Sequence, residues 1–95
     1  MPKFYVKDTF EIPDRDLFVM AGSVIEGEIR AGMFVHIAFN STVAISNQIH
    51  RIEFARRQGG DDVCLCIEAD KKAAGFMRDL NIGDEICEVT IEESD

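Results

Sequence analysis

Apolar positions in this chain recur in short runs broken by glycine, proline, asparagine and aspartate, a pattern of strands and tight turns. Phe4 to Ile12 alternates loosely and is rich in aromatic and β-branched residues, which predicts a first strand. Pro13 then removes a backbone donor, and Asp14-Arg15-Asp16 reads as an exposed loop. Leu17 to Ile25 is almost continuously apolar, which suits a strand buried on both faces or one crossing a barrel interior. Gly22 inside that run marks a bulge or a close backbone approach. Glu26-Gly27 ends the strand, and Ile29 to Gly32 turns the chain back into Met33 to Phe39.

Asn40-Ser41 supplies the next turn. Thr42 to Phe54 carries Val43, Ile45, Ile49 and Ile52, with an irregularity expected near Ser46-Asn47. Gly59-Gly60-Asp61-Asp62 reads as a flexible turn before Val63 to Glu68, where Val63, Leu65 and Ile67 share one face. Asp70 to Leu80 is the helical candidate: Asp70 caps it, and Ala73, Ala74, Phe76, Met77 and Leu80 form a partial apolar stripe weakened by Gly75. Asn81 and Gly83 lead into a last strand, Asp84 to Ile91. The pattern predicts an all-β fold, a small closed antiparallel β-barrel of about six to seven strands with one short helix.

A length of 95 residues makes one domain, 1–95, with an acidic tail over about 90–95. Hydrophobic residues at 46% suffice for one modest core. Ten Lys and Arg against eighteen Asp and Glu give a formal charge of −8, which repels phosphate backbones and disfavours general RNA binding. Local basic clusters remain at Arg51, Arg56 and Arg57, and at Lys71 and Lys72. No apolar stretch approaches the ~20 residues of a membrane span, and MPKFYVKD lacks a signal-peptide apolar region, so no membrane association and a cytoplasmic location are expected. Met1 and the acidic ending read as a complete chain, with an excised piece of a larger factor as the other reading.

Cys64, Cys66 and Cys87 are odd in number and form no C-x-x-C pair, so a disulfide framework is not expected. No fourth metal ligand stands at suitable spacing, and buried small hydrophobes are the favoured reading. His36 lies in an apolar run and His50 in a polar one; nothing local places either beside a thiol as a base. Asp14 with Asp16, and Asp61 with Asp62, read as turn residues rather than paired catalytic carboxylates or a cation site. Gly22 to Gly27 has the G-x-x-x-x-G spacing of a phosphate loop, but Glu28-Ile29 stands where Lys-Ser/Thr is required. GTP binding or hydrolysis is not expected.

The stretch Asp8 to Ile37, DTFEIPDRDLFVMAGSVIEGEIRAGMFVHI, resembles the second domain of translational GTPases, the elongation factor Tu type of β-barrel. Ile12-Pro13 and Arg15 are similar to the family's "I-P-G-R-G" loop, with Asp14 and Asp16 replacing its glycines. Gly22 matches the glycine before the strand end, although Ser23 replaces the usual arginine and one residue is inserted between Arg15 and Gly22. Gly27, Ile29, Arg30 and Gly32 follow the hairpin, with Met33 for the common aspartate. Gly60, Asp62 and Val63 follow the "A-G-D-x-V" entry, and Ile82-Gly83-Asp84 the closing turn. The resemblance runs from about Phe4 to Val89.

It implies a non-enzymatic binding module without cofactor or metal, docking a protein partner of the translation or GTPase machinery. Self-association into a homo-oligomer is an equally simple way to cover its docking surface. In the family a strand reading approximately "V-E-M-F-R" holds the aminoacylated 3′ adenosine of tRNA, and Ile52-Glu53-Phe54-Ala55-Arg56 is similar at the glutamate and arginine. The resemblance therefore implies an alternative, an RNA-end or nucleotide-binding module using Glu53, Arg56 and Arg57. The bland reading of Glu53 and Arg56 is that of surface residues at a strand end. Phe18, Phe34, Phe39, Phe54 and Phe76 are expected chiefly in the core.

Overall fold

A computed structural model describes residues 1–38, 44–57 (without the side chain of Arg57) and 60–91. Seven strands run in chain order: β1 (Lys3–Ile12), β2 (Leu17–Glu26), β3 (Phe34–Ala38), β4 (Ala44–Gln48), β5 (Arg51–Arg57), β6 (Gly60–Glu68) and β7 (Glu85–Thr90). One helix, α1 (Lys71–Asp79), separates β6 from β7. All strand pairs are antiparallel, in the order β4-β3-β7-β1-β2-β6-β5. The expected all-β fold with one short helix is therefore present. The hydrogen-bonded ladder is not a closed cylinder, because β4 and β5 are its two edges.

Those edges are nevertheless consecutive in sequence. Ile49 exchanges backbone hydrogen bonds with the start of β3 (its N–H to Met33 O and its C=O from Gly32 N–H, both 2.8 Å), and His50 N–H then donates to Cys66 O of β6 at 2.8 Å. A two-residue link thus ties one edge of the sheet to the other, which obliges the sheet to coil around its inner face. The chain irregularity lies here, at Ile49-His50, rather than at Ser46-Asn47, which sit inside regular β4 pairing with His36 and Val35.

The inner face holds the main core, including Phe4, Val6, Phe18, Met20, Leu65 and Val89. Ala74 and Met77 of α1 pack into it, and Leu80 lies against it. Asp70 caps the helix as expected, its Oδ1 accepting from Ala73 N–H at 2.8 Å. The outer part of the predicted stripe is not buried: Ala73 is exposed, and Phe76 is 48% exposed. Phe18 is core and Phe34 half-buried, but Phe54 is 75% exposed, so the aromatic set divides between core and surface. Phe39 and the Asn40-Ser41 turn lie outside the described residues.

A bulge organises the central strands. β1 pairs Val6 with Gly22 and then Asp8 with Ala21, leaving Lys7 as the extra residue. One inserted residue reverses the phase of all that follow. Phe4 and Val6 consequently face the main core, whereas Ile12 packs on a second cluster of Leu17, Val19, Ala21, Cys64 and Cys66. This explains both the loose alternation of β1 and the near-continuous apolar run of β2, buried from Leu17 to Gly22. Gly22 is required at that point, since a Cβ there would overlap the carbonyl oxygen of Tyr5.

Pro13–Arg15 form a single exposed 3-10 turn, and Asp16 after it adopts a left-handed φ of 52°. That conformation favours glycine but is tolerated by aspartate. Of the expected turn Gly59-Gly60-Asp61-Asp62, Gly59 lies outside the described residues; β6 already begins at Gly60, and Asp61 and Asp62 are strand residues opposite Arg56 and Ala55.

Candidate functional site

Four places on the molecule bring chemistry-bearing side chains together. The first is β5. Successive strand residues face opposite sides, so Glu53 and Arg56, three apart, point away from each other. Glu53 lies on the side of the second cluster, where Arg51 Nε approaches its Oε2 at 3.1 Å and the Cys66 thiol donates to the same oxygen at 3.8 Å. Arg56 is 92% exposed on the other side, 3.8 Å from Asp61. Arg57 ends the ladder opposite Gly60, and its side chain lies outside the described ones. Glu53 and Arg56 are thus separated by the strand itself.

The second place is the link between β4 and β5. His50 Nδ1 lies 2.7 Å from Glu68 Oε1. The pair borders an open cleft of about 620 Å³ lined also by Arg15, Asp16, Arg51 and Asp70. Charges of both signs alternate around it. The N-terminal end of α1 beside it is occupied by the helix's own Asp70 carboxylate, which leaves little of the helix's positive end for another anion.

The third is His36 on the outer face of β3. Its Nδ1 is 2.7 Å from Ser46 Oγ on β4, and its Nε2 is 2.7 Å from Thr90 Oγ1 on β7. A neutral imidazole donates from one nitrogen and accepts at the other, and a hydroxyl can do either. Both nitrogens are therefore satisfied, and the ring staples three strands. This geometry gives His36 a structural role. Its partners are legible only from the register, Ser46 being opposite His36 in the β3–β4 hairpin.

The thiols divide by face. Cys64 and Cys66 belong to the second cluster and Cys87 to the main core, all buried. Burial raises the Cys87 thiol to about 11, with Glu85 adding to the effect. Burial, then the charge of Glu53, raises that of Cys66. Both are protonated at neutral pH, the opposite of an activated nucleophile. The two histidine rings are engaged with Ser46, Thr90 and Glu68. Among the described residues no group of three His, Cys, Asp or Glu is arranged to hold a metal ion. Gly22 to Glu26 is strand rather than a loop opening a helix.

The fourth place is an open groove of about 950 Å³ lined mainly by Met1, Pro2, Ala31, Met33, Val89 and Ile91, with Glu28 and Arg30 on its rim. The N-terminal segment is held in place by Val89 N–H donating to Pro2 O at 3.0 Å, and by the Met1 amine 3.4 Å from Glu26. Gly27, at φ 74°, lets Pro2 approach: a Cβ there would stand 3.0 Å from Pro2 Cα. Met1 is 69% exposed and Ile91 78%. Sequence reasoning named none of these residues as a site. The available signal was Ile91, an isoleucine standing inside an acidic stretch.

No helix among the described residues is long and apolar enough to cross a membrane. The chain matches no protein-family model, and comparison with curated proteins and with solved structures found no match.

Proposed function

We propose that this chain is a binding module of the translation-factor domain II kind, which works as a β-barrel closed through the bent strand of β4 and β5. Its task is to dock a protein partner of the translation or GTPase machinery. The apolar groove around Met33, Val89 and Ile91 is the observation that carries this reading. An exposed apolar surface with a charged rim suits a protein segment that inserts aliphatic or aromatic anchors. A formal charge of −8 selects among such segments for one with basic flanks, because like charges would slow and weaken the encounter. The partner's chemistry is thus an apolar anchor bordered by lysine or arginine.

The alternative, an RNA-end module, receives less support from β5, since Glu53 and Arg56 face opposite sides of the strand. A titration separates the two. Isotope-labelled chain is mixed with purified translational GTPases and, separately, with aminoacyl-tRNA at low and high salt, and amide shifts are followed. Saturable shifts at Met33, Val89 and Ile91 with a GTPase, lost in Ile91→Arg, are expected. Absence of such shifts with every factor would overturn the proposal, and salt-sensitive tRNA shifts along β5 would favour the alternative.

A further inference from the structure

We infer that the outer edge of β5 pairs antiparallel with the β5 of a second copy, about a two-fold axis through Ala55. This surface is distinct from the apolar groove, so the inference goes beyond the docking role and stands or falls separately. Among the described residues β5 has ladder partners on one side only, in β6. A free strand edge exposes a row of unpaired backbone donors and acceptors and is a template for adding a strand. Phe54, 75% exposed, stands in the middle of this edge.

What selects a second copy as the partner is the order of residues 53–57, Glu-Phe-Ala-Arg-Arg. Laid antiparallel on itself with Ala55 on the axis, this segment sets Glu53 opposite position 57, an arginine, and Phe54 opposite Arg56. Directly opposed residues share a face, so each copy contributes one carboxylate–guanidinium and one aromatic–guanidinium pair. Two-fold symmetry makes both occur twice. Other registers are worse. Centring on Phe54 opposes Arg51 to Arg57, and centring on Glu53 opposes the two glutamates. Centring on Ile52 does pair Arg51 with Glu53, but it brings Ile49 opposite Ala55, and the N–H and C=O of Ile49 are already bonded to Met33 and Gly32. The edge charges and the link before β5 together guard against indiscriminate pairing and favour one register. The ion pairs they now make, Arg51–Glu53 and Arg56–Asp61, are solvent-exposed and easily exchanged. A ladder this short makes a small interface, opposed at long range by the charge of −8, so the dimer is weak and micromolar concentrations are needed to populate it.

Sedimentation velocity across micromolar to millimolar concentrations tests the register with two charge variants. Glu53→Arg opposes arginine to arginine, and Arg57→Glu opposes glutamate to glutamate. Each variant alone is expected to self-associate roughly ten- to a hundred-fold more weakly than the parent. An equimolar mixture restores opposite charges at both positions and should form the heterodimer. Mixing cannot rescue a variant that fails to fold, so the rescue reports on pairing. A parent chain monomeric throughout, single variants that dimerise like the parent, or a mixture that stays monomeric would each overturn the inference.

Discussion

Replacing Gly22 with alanine tests the bulge on which the two-sided burial of β2 depends. An ideal Cβ at Gly22 would overlap the Tyr5 carbonyl oxygen and lie 2.9 Å from its carbonyl carbon and 3.1 Å from Lys7 N. All three atoms are backbone, in the strand paired with β2 at the middle of the sheet order, so no side chain can swing away to make room. Overpacking of a well-packed interior costs about 1–3 kcal/mol, and a backbone collision belongs at or above the upper end. Two smaller effects oppose it: alanine restricts the unfolded chain and suits a strand better than glycine, together contributing about 1 kcal/mol. The expected net is a loss of about 2 kcal/mol or more, or roughly 10–15 °C in Tm for a domain this size. Urea unfolding followed by circular dichroism reads it directly. Gly75→Ala is the control: its Cβ would meet only the Arg78 guanidinium at 3.6 Å, and helix propensity predicts a gain of about 1 kcal/mol. If Gly22→Ala proves as stable as the parent while Gly75→Ala behaves as expected, the bulge at Lys7 and the register built on it are wrong.

Other consequences follow from two of the raised acids, Tyr5 and Cys87. Tyr5, the single tyrosine of the chain, donates its hydroxyl to Asp84 at 2.6 Å, and that hydrogen bond, with smaller contributions from desolvation and the Asp84 charge, raises the phenol. Ultraviolet titration should therefore place its ionisation above the ordinary range, and Asp84→Gly, which removes the acceptor and suits the left-handed φ of 51° there, should bring it back; an unchanged curve in the variant would exclude the contact. For Cys87, with its thiol raised to about 11, the neutral form is favoured by folding. Its contribution to stability is complete below the ordinary thiol range of about 8.5 and is lost as pH climbs towards the folded value. Urea midpoints should fall over that alkaline window in the parent and fall less in Cys87→Ala; parallel profiles would place the thiol elsewhere than in the core.

Several features of this molecule were written locally. Strands, the capped helix and the special role of Gly22 are legible because side-chain periodicity, N-cap chemistry and a missing Cβ act within a few residues of sequence. The separation of Glu53 from Arg56 was legible too, since a period of two forbids residues three apart from sharing a strand face. The resemblance to a tRNA-binding strand drew attention to their identities instead. Asp61 and Asp62 misled for the converse reason: their composition suits a turn, but pairing with Arg56 and Ala55 holds them in β6.

Other features depended on the whole fold. Whether β1 keeps or reverses its phase is decided by which residue of β2 lies opposite, and so by register across the sheet. His36 acquires its hydroxyl partners only when β4 and β7 flank β3. The groove exists because Pro2, Met33 and Val89, far apart in sequence, meet at one end of the sheet. Pattern along a chain fixes which way a side chain can point; only the order and offset of strands, which are set by long-range packing, decide what it finds there.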